Sequence, residues 1–317
     1  MSTIPVINQF IGAYSLLLTI FGTIGNLLSL FIFLKSKILR KYSTCKFLIA
    51  LAIIDTLSLY WWNLQRFYKV YFGFTYNKLS VASCRISMFM AYSTLEISSW
   101  LLVLMSLDRF LNIKFACYRQ RISFNPKMVR NLILTTISCF ILINCHHLIF
   151  NGYADITVTN GTQVVTVVCY ASRYSWYILW PVWEYFHLII YVCVPFCFIL
   201  LCNCLIIRQV YFTSFNNNRR RKFNMTLTLL TTTFCYIIML LPSSLGFSVF
   251  GDVLSSNVLN LLDCILYTYH SIGFIIYTLT GQEFRSELKK ELNGALHCLQ
   301  LSFKNNTSIH PLVTTNR

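Results

Sequence analysis

Charge is what this chain has least of. Asp and Glu together number 10 in 317 residues, charged residues of every kind make up 11%, and 56% of the sequence is hydrophobic. A soluble domain carries about a quarter of its residues as charges, so that class is excluded and a membrane protein is indicated. The formal net charge of +16 does not point to nucleic acid. A nucleic-acid binder spreads its basic residues over a solvated face, whereas here they fall in short clusters between apolar runs, as a positive-inside topology requires. No nucleic-acid partner is expected.

Other absences narrow the field. There is no CxxC pair at zinc-ligand spacing, which argues against a structural metal. Most of the 13 cysteines, among them Cys139, Cys145, Cys193, Cys197 and Cys235, lie inside apolar runs, where cysteine acts as a small buried hydrophobe. Cys202 and Cys204, two apart in such a run, read as packing. Neither an internal repeat nor inverted symmetry relates the halves, which counts against a transporter. No basic segment or small-residue cleavage site accompanies the first apolar run, so a spanning helix is expected there and not a removed signal peptide.

What is present is a set of seven apolar runs, at 10–34, 44–67, 84–115, 128–150, 183–211, 223–250 and 258–279. The expected fold is an all-α membrane protein: a seven-transmembrane-helix bundle over 10–281 at the plasma membrane, after an extracellular N-terminus at 1–9. Arg66, Lys69, Lys78, Arg85 and Arg173 then fall outside, and the other 21 of the 26 Lys and Arg fall in cytoplasmic segments.

Residues 282–299 place Phe284, Leu288 and Leu292 at four-residue spacing among charges, as an amphipathic helix on the inner membrane surface does. Cys298 near its end is a palmitoylation candidate. The polar stretch 300–317 is expected to be a cytoplasmic tail without order.

The run that starts at Cys84 reaches Asp108-Arg109-Phe110 near its far end. At 1.5 Å per helical residue Cys84 and Arg109 stand roughly 37 Å apart, somewhat more than a bilayer's hydrocarbon core. Asp55, Glu96, Asp108 with Arg109, and Asp263 are ionisable residues at membrane depth, where charge is costly, so each is a functional candidate. Between the fourth and fifth runs, β-branched residues alternate around Asn160-Gly161, the pattern of a type I′ hairpin in the second extracellular loop. Asn160-Gly161-Thr162 is also a glycosylation sequon on the expected outer side; Asn224, Asn305 and Asn306 begin sequons in cytoplasmic segments and are expected to stay bare.

Taken together these residues resemble a rhodopsin-like (class A) G-protein-coupled receptor over essentially the whole chain. Gly25-Asn26 is similar to the family's first-helix signature and Leu51-Ala52-Ile53-Ile54-Asp55 to its second-helix motif. Cys84 and Asp108-Arg109-Phe110 stand at the family's third-helix spacing. Pro195 and Pro242 fit the fifth- and sixth-helix prolines, and Tyr277 with Phe284-Arg285 resembles the seventh helix running into the surface helix.

The likeness is that of a divergent member, resembling invertebrate peptide receptors. The fourth helix lacks the usual Trp. Met239-Leu240-Leu241-Pro242 replaces CWxP, Gly273-Phe274-Ile275-Ile276-Tyr277 replaces NPxxY, and Asn203 stands where a fifth-helix Tyr is usual.

The resemblance implies a disulfide between Cys84 and Cys169, and a G-protein site formed by Asp108, Arg109, Phe110 and Tyr277, with Asp108 holding Arg109 in the inactive state. Lys222 begins the sixth helix where an acid would be needed to lock Arg109, so a loosely restrained inactive state is expected. Asp55 with Ser98 is similar to the family's sodium pocket; a protonated or hydrogen-bonded structural carboxylate is the equal alternative, since Gly273 replaces the pocket's Asn. Glu96 lies on another helix face and is expected to bond to a neighbouring helix.

For the ligand, Ala91 stands where an amine receptor needs Asp, and Tyr267 where an opsin needs its Lys, so neither ligand class is expected. Met88, Ala91, Tyr92, Glu184, Asp263 and Tyr267 are the pocket candidates. Acid at Asp155, Glu184, Asp252 and Asp263 suits a short peptide with a basic end, and loss of agonist potency on Asp263→Ala is expected.

The function expected is transduction of an extracellular ligand, a neuropeptide before others, into activation of a heterotrimeric G protein. Arrestin is a further partner and the chain itself is not an enzyme. A chemosensory receptor for small molecules is the alternative within the fold; a transporter or channel is the alternative outside it.

Overall fold

The computed structural model describes residues 6–114, 125–159, 162–174, 182–212 and 217–307. The main helices are α1 (Val6–Lys35), α2 (Ser43–Phe72), α3 (Val81–Lys114), α4 (Pro126–Phe150), α5 (Glu184–Gln209) and α6 (Asn217–Ser248). They are followed by α7 (Ser256–Ser271 and Gly273–Thr280) and α8 (Gln282–Thr307). Six helices are long and apolar enough to cross a membrane, and α7, whose halves meet at 51°, makes seven when taken as one span. The expected seven-helix bundle is therefore observed.

The apolar window of α3 is 72% buried and that of α4 only 17%. So α3 runs through the middle of the bundle, and α4 lies at its rim. Leu101, Leu102 and Met105 of α3 pack in the core with Leu51, Ile199, Tyr236 and Leu240. Exposed Phe21, Leu142, Leu201 and Phe234 form an apolar exterior, as expected where lipid replaces water as the solvent.

Backbone breaks fall where the sequence frees a carbonyl and a side chain satisfies it. Pro195 has no N–H to offer the preceding turn, and the residues before it, Leu188–Cys193, are wound as a π-helix. The carbonyl of Tyr191 accepts from the Tyr236 hydroxyl at 2.6 Å, and that of Ile190 from Trp100 Nε1 at 3.0 Å. A second π turn, Leu59–Leu64, interrupts α2. There the Tyr76 hydroxyl, from the loop that follows, donates to the carbonyls of Tyr60 and Trp61. Burial pushes the pKa of that phenol well above its ordinary value, so it stays a donor. At the bend in α7 the carbonyl of His270 accepts from Asn26 Nδ2 at 3.1 Å, which gives the Gly25-Asn26 pair its structural use.

Strands β1 (Tyr153–Thr159) and β2 (Thr162–Val168) form the expected antiparallel hairpin, in register from Tyr153 opposite Val168 to Thr159 opposite Thr162. Its turn, with Asn160, lies outside the described residues. The Cys84–Cys169 disulfide pins the hairpin to the start of α3, with Cα atoms 5.7 Å apart. Gly152 leads into β1 at φ +74°, and a Cβ on it would stand 2.8 Å from Cys84 Sγ, so both backbone and space demand glycine.

Several boundaries differ from expectation, with α1 beginning at Val6 instead of 10 and α6 at Asn217 instead of 223. α2 continues to Phe72 instead of ending at 67, and Arg66 within it is buried. The last span is bent at Ile272 instead of running straight. α8 runs on to Thr307, past 299, because Leu292, Leu296, Leu299 and Phe303 keep an amphipathic spacing. The Cys298 side chain and residues 308–317 lie outside the described residues, as does Phe115.

Candidate functional site

Two cavities open at opposite ends of the bundle, and α3 lines both. The one at the disulfide end has a volume of about 400 Å³ and lies among α2, α3, α5, α6 and α7. All six pocket candidates, Met88, Ala91, Tyr92, Glu184, Asp263 and Tyr267, line it. Trp62, Tyr170, His187, Tyr191 and Ser243 line it too and were not foreseen. Trp62, His187 and Tyr191 sit in or beside the π turns, where the helical period that would assign them to a face is broken. Tyr170 comes from the lid.

The two buried acids of this cavity are held differently. Asp263 Oδ2 accepts from Arg66 Nη2, in an ion pair with both side chains 8% exposed, and from Trp62 Nε1 at 2.9 Å. Ser243 Oγ donates to its other oxygen at 3.0 Å. Asp263 is thus paired inside the protein while it lines the cavity. Arg66 was expected on the outer surface and is instead buried against α7, where it also donates to the Asn260 carbonyl at 3.2 Å. Glu184 Oε1 instead accepts from two phenols, Tyr92 and Tyr170.

Beneath the cavity Glu96, fully buried, accepts from Asn144 Nδ2 on α4 at 2.6 Å and from His187 Nδ1 on α5 at 2.9 Å. Tyr92 stacks on His147 with ring centroids 4.7 Å apart and meets His187 edge-on at the same distance. Asp252 also lines this cavity but is exposed, and Asp155 is exposed on β1, outside the lining.

Midway along the bundle Asp55 Oδ1 accepts from Ser98 Oγ at 2.7 Å, the contact the sequence suggested, and from His270 Nδ1 at 2.8 Å, which it did not. A sodium ion at Asp55 needs a cage of oxygens. Here a ring N–H points at the carboxylate and Gly273 offers no side-chain oxygen, so the residues present do not fit the ion. Among the described residues, no group of three or more His, Cys, Asp or Glu is placed to hold a metal.

At the far end a small cavity of about 60 Å³ is lined by Arg109, Thr44, Met105, Thr228, Tyr277 and Phe284, among others. Tyr277 is buried between Phe33 and Phe284, ring centroids 5.5 and 5.8 Å away. Phe110 is half-buried, with the Lys114 ammonium 5.4 Å from its ring.

The Asp108 carboxylate is tied to the start of α2. It accepts from Ser43 Oγ at 2.7 and 2.8 Å, Thr44 Oγ1 at 2.9 Å and Asn112 Nδ2 at 3.1 Å. The reason is local: Ser43 and Thr44 open α2 against the end of α3. The Lys222 side chain lies outside the described residues. Asn203, in place of the usual Tyr, ties α5 to α6 through Thr233 Oγ1 at 2.7 Å.

Among curated proteins none matches the chain. Its sequence does match the family described as 7 transmembrane receptor (rhodopsin family), over residues 25–277, from the Gly25-Asn26 pair to Tyr277. With that span, the helix bundle and the Cys84–Cys169 bridge, the chain belongs to the rhodopsin family of seven-transmembrane receptors, multi-pass membrane proteins that signal through G proteins.

Proposed function

We propose that this receptor takes the end of an extracellular peptide, a neuropeptide before other classes, into the disulfide-end cavity and responds by opening the Arg109 end to a heterotrimeric G protein. The observation that carries the reading is α3 itself: Met88, Ala91 and Tyr92 line one cavity, Met105 and Arg109 the other. A ligand that favours one packing of α3 against its neighbours shifts the population of the distant mouth. Nucleotide exchange then takes place on the partner, and the receptor does no chemistry of its own.

In this reading the N-terminus and hairpin are extracellular, Asn160 carries glycan, Cys298 carries a palmitoyl chain, and arrestin meets the same inner face as the G protein. The hairpin supports a peptide in preference to a small ligand, since it stands beside the cavity mouth and leaves Ile156, Val164 and Val165 exposed along its strands. A chemosensory ligand is the second reading, favoured by the modest volume of the cavity.

Cells expressing the chain with a promiscuous G protein, screened against amidated and free peptides, test the choice. A peptide response that is lost on Arg109→Ala is expected. Silence across peptides with a response to small odorants supports the second reading.

A further inference from the structure

Three carboxylates line the disulfide-end cavity: Asp263 has a cationic partner, Asp252 is exposed to solvent, and Glu184 is buried with no cationic partner among the described residues. Five basic residues belong to that side of the chain, and the structure accounts for each. Arg66 is paired with Asp263. Arg85 Nε donates to the Asn151 carbonyl at 2.9 Å. Arg173 donates to the Ala154 carbonyl and lies 5.0 Å over the Tyr153 ring. Lys69 and Lys78 are exposed, and residues 175–181 include no Lys, Arg or His. His187, which also lines the cavity, turns its Nδ1 to Glu96.

Glu184 is 8% exposed and, among the described residues, receives only the neutral hydroxyls of Tyr92 and Tyr170, both on Oε1. A carboxylate taken out of water needs hydrogen bonds and a counter-charge, and here only the first is supplied from within. The arrangement is also held against a conformational preference. Tyr170 has the one positive φ among the described non-glycine residues, +62°, where it places its hydroxyl on Glu184 and its N–H on Asn151 Oδ1 at 3.1 Å.

Resting on the receptor reading of this cavity, we infer that Glu184 is the anchor for a cationic group, an ammonium or guanidinium, on the ligand. Asp263, the other buried acid in the cavity wall, is neutralised by Arg66 and serves as wall only, and the charge of Asp252 is exposed, where solvent screens it. The Glu184 carboxylate supplies the missing half of an ion pair, and the phenols of Tyr92 and Tyr170 fix its orientation, so that Oε2 is left for the ligand. The surrounding rings of Tyr92, Tyr170 and Tyr267 suit a flat cation, which gains from their π faces as well.

The test uses the purified full chain in detergent, with millimolar benzamidine as the cationic probe and benzamide as its neutral isostere, read by thermal unfolding. Benzamidine is expected to raise the melting temperature of the native chain and benzamide is not. Glu184→Gln, which still accepts from both phenols, is expected to bind benzamidine weaker by on the order of tenfold or more. Asp155→Asn, which removes an exposed acid of β1 outside the cavity lining, is expected to retain the benzamidine shift.

An equal benzamidine shift in the native chain and in Glu184→Gln overturns the inference. So does a native chain that does not prefer benzamidine to benzamide, a measurement that needs no variant to fold. G-protein nucleotide exchange is read separately. Benzamidine binding at Glu184 in a chain that never drives exchange with any ligand leaves the site and removes the receptor reading. Exchange driven equally in the native chain and Glu184→Gln by a cationic agonist removes the site and leaves the receptor.

Discussion

His270 on α7 directs Nδ1 at Asp55 on α2 across 2.8 Å, and the same carboxylate oxygen takes the Ser98 hydroxyl of α3. One acid thus joins three helices at mid-depth, where charge has no water to fall back on. The His270 backbone carbonyl, at the bend of α7, takes Asn26 of α1 and brings in a fourth helix.

Removing the ring from this junction leaves a buried acid with one donor. His270→Ala is expected to lower stability by about 3 kcal/mol, the cost of breaking one side of a buried pair. Asp55→Asn/His270→Ala together is expected to cost less than the two single losses added, since they share one contact. A double-mutant cycle by thermal unfolding in detergent measures the coupling, and strict additivity would remove it. Replacing sodium by choline is expected to leave the native receptor's response unchanged, because the donor set at Asp55 does not suit the ion.

The Arg66–Asp263 pair sets a second expectation, opposite to the one drawn from sequence. Arg66→Met strands a buried carboxylate and is expected to destabilise by about 3–5 kcal/mol, whereas Arg66→Met/Asp263→Leu recovers much of that loss because no lone charge remains. If Asp263 served the ligand directly, Asp263→Ala would reduce potency at full expression. Here its main effect is expected on the amount of folded receptor at the cell surface.

How legible this was depended on whether a signal was local. Apolar runs gave the spans, because a helix in lipid must be apolar along its whole length. Alternation around Asn160-Gly161 gave the hairpin strands, and family spacing gave Cys84 with Cys169. All six pocket candidates share one cavity, since they came from facing positions on known helices. The charge partners were not legible. Arg66 on Asp263, His270 on Asp55 and Ser43 on Asp108 join residues 197, 215 and 65 positions apart, and nothing near either member marks the other. The π turns at Leu59–Leu64 and Leu188–Cys193 also moved Trp62 and His187 out of the register that a 3.6-residue period assigns.

Gly152 offers a test of how the lid is held. With φ at +74°, and with only 2.8 Å between the position a Cβ would take and Cys84 Sγ, Gly152→Ala meets both backbone strain and a clash with the bridge. A loss of about 1–3 kcal/mol is expected. It should appear as a lower melting temperature and as faster loss of the disulfide to a mild reductant. An unchanged melting temperature would show that the loop relaxes freely around the bridge.

Asp108 restrains the opposite end by a route the sequence did not suggest. Its carboxylate draws the hydroxyls of Ser43 and Thr44, at the start of α2, onto the end of α3 beside Arg109. Asp108→Ala frees that end of α3, and nucleotide exchange without ligand is expected to rise. Ser43→Ala/Thr44→Val leaves the acid in place but removes its α2 donors, so it is expected to raise basal exchange in the same direction. A simple Asp108–Arg109 lock predicts otherwise: the hydroxyl variants would then leave Asp108 free to hold Arg109, and basal exchange would stay flat. Measuring ligand-free exchange for both variants at matched surface expression separates the two arrangements.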